Sequence, residues 1–224
     1  MSGRVLAMLL VGALALPLVA PSYAQPGGSN GWNFRVYLDD KPIGYHRFTL
    51  TRQGEEGELK SEARFDVKVL FINAYRYVHD ATERWSGRCL KGMTARTDDD
   101  GERSAVNATA DGAALSVAVT RGSAQGGAPA VRKVDGCAMS FAYWDADILR
   151  QSRLLNSQTG EYEAVSVSAA GDDRITVRGK PVDAKRYRIT GPKNPIDLWY
   201  SASGECLALE SAVGGGRRLI YRIE

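Results

Sequence analysis

Leu59-Lys60-Ser61-Glu62-Ala63-Arg64-Phe65-Asp66-Val67-Lys68-Val69-Leu70-Phe71 is the stretch that decides the fold class. Leu59, Ala63, Phe65, Val67, Val69 and Phe71 fall on one side with Ser61, and Lys60, Glu62, Arg64, Asp66 and Lys68 fall on the other. A period of two over this length is a strand with one face against a core and the other in water.

The same alternation extends in both directions. Upstream, Phe34, Val36 and Leu38 alternate with Asn33, Arg35 and Tyr37, and Asp39-Asp40-Lys41-Pro42 turns the chain into a strand over 43–51. Downstream, strands are expected over 75–85, 89–97, 103–109 and 114–120, with Asp98-Asp99-Asp100-Gly101 and Asp111-Gly112 as hairpin turns. Residues 121–130 read as a mobile loop. Residues 137–151 break the pattern, and Phe141, Ala142, Ile148 and Leu149 predict a helix of about three turns. Strands resume over 161–168, 174–178, 182–190, 196–201, 207–213 and 217–223, with Gly171-Asp172-Asp173, Gly179-Lys180-Pro181 and Gly214-Gly215-Gly216 among the turns between them. The expected fold is mainly β: a large curved antiparallel sheet, or an open or half β-barrel, of about 11–13 strands with one short helix between two meanders. One helix is too little to cover a dozen strands, so the sheet is expected to curl over itself, which makes a cavity as well as a core.

The chain has 224 residues, is 44% hydrophobic and 25% charged, and has a formal net charge of +3. These values exclude disorder and a strong electrostatic footprint for nucleic acid. Residues 1–24 read as a secretory signal peptide. Arg4 precedes an apolar run over 5–20, and Ser22-Tyr23-Ala24 has the small residues of a cleavage site, with cleavage expected after Ala24. The run is shorter than the ~20 residues a membrane helix needs, and Pro17 interrupts it. Removing it takes away Arg4 and no acid, so the charge falls from +3 to +2. Residues 25–31 read as a flexible tail, and 32–224 as a single β-rich domain. The expected localisation is periplasmic.

Cys89, Cys137 and Cys206 allow three pairings with one thiol left over. The expected bridge is Cys89–Cys137, which ties the first meander to the helix and is worth roughly 4 kcal/mol for a loop of this size. A catalytic thiol needs an activating neighbour, and the sequence places none beside a cysteine.

Alternation puts His46 with Phe48 and Leu50, and puts His79 and Glu83 with Tyr75, Tyr77, Ala81 and Trp85. Three ionisable groups therefore fall on apolar faces, where an unpartnered charge costs several kcal/mol or shifts its pKa. One reading is structural, with each group satisfied by a local partner. Another is a polar spot that orients a ligand's head group in an apolar cavity. An acid/base pair or a metal site is a third. Against a metal, His79 and Glu83 stand about 13 Å apart on an extended strand, and the spacing matches no ligand motif. No metal and no cofactor is expected. Asp98-Asp99-Asp100-Gly101-Glu102 lacks the spaced ligands of a calcium loop, and Gly214-Gly215-Gly216-Arg217-Arg218 has no helix behind it to cradle phosphate.

Four segments taken together carry a resemblance: Leu38-Asp39-Asp40-Lys41-Pro42-Ile43-Gly44, Gly136-Cys137-Ala138-Met139-Ser140-Phe141-Ala142-Tyr143-Trp144, Leu154-Leu155-Asn156-Ser157-Gln158-Thr159-Gly160 and Ile196-Asp197-Leu198-Trp199-Tyr200-Ser201. They resemble an exported bacterial family known as a domain of unknown function, over nearly the whole mature chain. The resemblance implies the periplasm and a curved sheet, and extends loosely to the half-barrels of outer-membrane lipoprotein carriers. It implies no catalytic residue.

The leading expectation is a non-enzymatic exported protein that binds a lipid-like or hydrophobic small molecule. Phe48, Phe65, Val67, Tyr75, Tyr77 and Trp85 are the expected apolar wall, and His46, His79 and Glu83 its polar contacts. The competing readings are an envelope enzyme using His46, His79 or Glu83, a structural or assembly partner of an envelope protein, and an outer-membrane barrel. The last is disfavoured by short strands and the lack of an aromatic girdle.

Overall fold

A computed structural model describes residues 28–69, 72–122 and 129–224. The expected signal peptide at 1–24 lies outside the described residues. Fifteen strands occur among those described: β1 (Gly28–Leu38), β2 (Lys41–Gln53), β3 (Glu56–Val69), β4 (Ile72–Ser86), β5 (Cys89–Asp99), β6 (Glu102–Asp111), β7 (Ala114–Arg121), β8 (Ala130–Asp135), β9 (Arg153–Leu155), β10 (Tyr162–Ala164), β11 (Ser166–Val177), β12 (Lys180–Thr190), β13 (Ile196–Tyr200), β14 (Cys206–Val213) and β15 (Arg217–Ile223). Thirteen of them form one sheet in the order β11-β12-β13-β14-β15-β1-β2-β3-β4-β5-β6-β7-β8, and β9 pairs with β10 separately. Every pairing in the large sheet is antiparallel. β8 and β11 are its edges, so the curved sheet does not close into a barrel.

The two meanders join through the ends of the chain. β15 pairs with β1, with Phe34 opposite Ile223 and Leu38 opposite Leu219. The first and last strands thereby sit side by side in the middle of the sheet. The alternation read at Leu59 holds: Leu59, Ser61, Ala63 and Phe65 are buried, and Lys60 and Asp66 are exposed.

Residues 137–161 run across the concave face. Met139, Ala142, Trp144, Ile148, Leu154 and Leu155 are buried there in one core with Trp85, Val106, Val117 and Leu198 from the sheet. The expected three-turn helix over 137–151 is replaced by a single 3₁₀ turn, Ala146–Arg150, capped by Asp145. The reason is competition for backbone groups. The Met139 carbonyl accepts from Leu155 N–H at 2.8 Å, Phe141 N–H donates to the Leu155 carbonyl at 3.2 Å, and Ser140 bridges Leu155 in parallel. Backbone groups bonded to another segment are unavailable for i→i−4 bonds.

Three further expectations are corrected. The tail expected over 25–31 is shorter, because Gly28–Gly31 pair with Thr49–Arg52: the far end of β2 leaves an open ladder that β1 extends to fill. The turn expected at Gly171-Asp172-Asp173 is a bulge inside β11, where the register shifts between Ala169 and Gly171 and Gly171 takes φ +99°. The loop expected over 121–130 has strand residues at both ends, Arg121 in β7 and Ala130 in β8, and β8 itself is an edge strand the alternation did not single out.

Cys89 and Cys137 form a disulfide with a Cα–Cα distance of 4.9 Å across a separation of 48 residues. It pins the start of the connector to β5, where Leu90 N–H donates to the Ala138 carbonyl at 2.9 Å. Cys206 is free and buried.

Candidate functional site

The strand registers align one row across the sheet: Phe34 on β1, His46 on β2, Ala63 on β3, His79 on β4 and Thr97 on β5. Adjacent strands lie about 4.8 Å apart, so the two histidines flank one small residue, about 10 Å from each other along the row. The next row on the same face runs through Phe48, Ser61 and Ala81. Ser61, Ala63 and Ala81 thus put three short side chains in the middle of the concave face. The connector cannot fill the space above them, and a cavity of about 590 Å³ remains between sheet and connector. That volume falls in the range of pockets that take small organic ligands.

The cavity is lined by His46, Phe48, Leu59, Tyr75, Tyr77, His79 and Glu83 from the first meander, by Phe141, Tyr143, Trp144 and the Asn156–Thr159 turn from the connector, and by Ile196, Leu209 and Tyr221 from the second. Of the residues expected from sequence, His46, Phe48, Tyr75, Tyr77, His79 and Glu83 are therefore brought together. Phe65, Val67 and Trp85 are placed elsewhere. Phe65 stacks on Tyr77 with ring centroids 5.0 Å apart and belongs with Val67 to a smaller core under the near end of the sheet. Trp85 is 1% exposed and meets Trp144 edge-on at 5.5 Å. All three keep the inward alternation and are covered by other side chains: Trp85 by Trp144 of the connector, and Phe65 and Val67 by the cluster of Val36, Leu38, Ile43 and Tyr77.

His46, His79 and Glu83 each have their own uncharged partners. His46 Nε2 lies 2.7 Å from Ser61 Oγ. His79 Nδ1 lies 2.9 Å from Thr97 Oγ1, and its Nε2 lies 3.4 Å from Ser157 Oγ. Burial pushes both imidazoles down from 6.5, His46 to about 3 and His79 to about 4, so both are neutral near pH 7. His46 is only half-buried by exposed area, and the surface it keeps faces the cavity. Glu83 accepts from Trp85 Nε1 and from Ser140 Oγ, both at 3.1 Å. Burial raises this carboxyl to about 7, and the two donors oppose the rise. Among the described residues, no two of His46, His79 and Glu83 hydrogen-bond each other, and no group of metal-ligating side chains is assembled.

Sequence reasoning missed Ser140, Tyr143, Ser157 and Tyr221, because the connector and the last strand reach the site only through tertiary folding, and missed Thr97, because the register that sets it opposite His79 is not legible in either strand alone. Ser61 was the visible signal: a polar residue on an otherwise apolar face, now seen to be the partner of His46.

The fold and the site define an open, β-barrel-like protein with a cavity on its concave face. The chain belongs to the family described as "Domain of unknown function (DUF6134)", which matches residues 34–224. In fold it is similar to the crystal structure of a β-barrel-like protein of domain of unknown function DUF1849 from Brucella abortus. That likeness has a TM-score of 0.60 at 9% identity and covers 89% of this chain and 95% of that one. At this identity it concerns the fold alone. No curated protein sequence matches the chain. No helix among the described residues is long and apolar enough to cross a membrane.

Proposed function

We propose that the mature protein is an exported, non-enzymatic binder of a lipid-like or other hydrophobic small molecule, held in the concave cavity. The observation that carries this reading is the cavity itself: about 590 Å³ with an aromatic and aliphatic lining and a few convergent polar groups, the general character of small-molecule sites. Phe48, Leu59 and Trp144 offer apolar surface, and His46, His79 and Glu83 offer hydrogen-bonding groups, of which the two imidazoles are uncharged near pH 7. Their separate local partners favour orienting a head group over acid/base chemistry, which needs groups converging on one reacting atom. A periplasmic location is supported by the cleavable leader read at residues 1–24 and by the Cys89–Cys137 bridge, since disulfides persist in oxidising compartments.

The test is detergent-free purification of the exported protein, native mass spectrometry, and extraction of what co-purifies. A stoichiometric apolar adduct is the expected result. A clean apo mass, with no lipid taken up on titration, overturns the proposal.

A further inference from the structure

The charges and free hydrogen-bonding groups of the wall restrict the ligand further. Among the described residues lining the cavity, Glu83, Asp99 and Glu163 are acids and Lys193 is the one Lys or Arg. Lys193 is exposed, and Glu83 is buried. A phosphate or carboxylate entering such a site loses its water with no guanidinium to receive it. The histidines do not supply the missing charge, since each is bonded to neutral hydroxyls. A cation finds little better, because Glu83 already accepts from Trp85 and Ser140, and Glu163 accepts from Asn156 Nδ2 at 2.8 Å. What the wall does offer is unspent neutral capacity. Tyr77 is 7% exposed yet lines the cavity, and its hydroxyl has no hydrogen-bond partner among the described residues. The same holds for the hydroxyl of Tyr221, which is packed beside His46 with ring centroids 5.9 Å apart.

Resting on the binding role proposed above, we infer that the cavity selects an uncharged amphiphile with a hydroxyl-bearing head group, such as a monoacylglycerol or a long-chain alcohol, seated against Tyr77, Tyr221 and His46, and that it rejects phosphorylated lipids.

The experiment compares two probes with one acyl chain, 1-oleoylglycerol and its 3-phosphate, titrated below their micelle-forming concentrations into the mature protein, with oleylamine as a cationic counterpart. Oleoylglycerol is expected to bind at least about ten-fold tighter than either. Tyr77→Phe is expected to weaken oleoylglycerol several-fold while leaving the melting temperature in place. Asp99→Lys, an exposed change in the lining, is expected to strengthen the phosphate probe relative to oleoylglycerol. Equal or tighter binding of the phosphate, or of oleylamine, overturns the neutral-ligand inference while the hydrophobic-binding role stands. Binding of none of the three overturns both.

Discussion

Glu83 shows how one residue can report on the whole site. Its carboxyl titrates near 7 when folded, against 4.5 for an ordinary carboxyl. The folded state therefore holds a proton between those values that the unfolded chain has released. Stability from this group is fully present below about pH 4.5 and is lost as pH rises through about 7, a swing on the order of 3 kcal/mol. Glu83→Gln removes the swing, so its stability relative to wild type should improve by roughly that amount between pH 4.5 and 8, read by urea denaturation across the range. The two histidines act with the opposite sign. Their folded values lie below 6.5, so their contribution is present above about 6.5 and fades as pH falls toward 4. His79→Gln should flatten that acid limb. Gly44 is constrained by space instead of charge. It sits at φ +155°, and a Cβ there would lie 1.9 Å from the Arg64 carbonyl oxygen on the paired strand. Gly44→Ala should cost at least about 2 kcal/mol by thermal or urea unfolding, since β2 and β3 must part to admit it.

Among the elements, the connector over 137–161 determines whether there is a site at all. Its 3₁₀ turn buries Ile148 completely, and Arg88 and Arg150 both pair with Asp147 on that turn. At the far end, Gly160 adopts φ +69° with no room for a Cβ against Val119, and Glu161 pairs with Arg132 on the edge strand β8. The near end is held by Cys89–Cys137. The double variant Cys89→Ser/Cys137→Ser, or the wild type under reductant, should lose about 4 kcal/mol by the loop-entropy model, measured by urea unfolding. Cys206 should stay unreactive toward thiol reagents until the protein unfolds, because burial raises its thiol to about 12. The alternation of β1 to β7 was readable residue by residue, because each strand faces core on one side and water on the other. The connector was not, because its conformation answers to Leu155 and Ser140 bonding across a gap in sequence and not to any local period.

For the whole molecule, the arrangement of the sheet has two consequences. The last strand is central, lying between β14 and β1. Truncation before Arg217 should therefore abolish cooperative unfolding, seen as loss of a single transition by circular dichroism, although only 8 of 224 residues are removed. The open edges are the second. Val131 on β8 is 62% exposed, a large apolar side chain on an edge strand with one open side. Val131→Lys should lower concentration-dependent association by light scattering without lowering stability, since a charge on an edge blocks strand addition.

The sequence by itself determined the β class, the faces of the strands in the first meander and the inward position of His46, His79 and Glu83, because a strand's period of two follows from backbone geometry alone; of the three cysteine pairings it left open, the structure forms the expected Cys89–Cys137. Only the tertiary structure decided that the first and last strands meet, that the sheet stays open, and that Phe65 and Trp85 are buried in the core beside the cavity instead of lining it. Those outcomes depend on the pairing of β15 with β1 and on a connector whose backbone bonds across the fold and whose Trp144 covers Trp85. A local period tells which face a side chain is on, and not which distant segment pairs with the strand or covers that side chain.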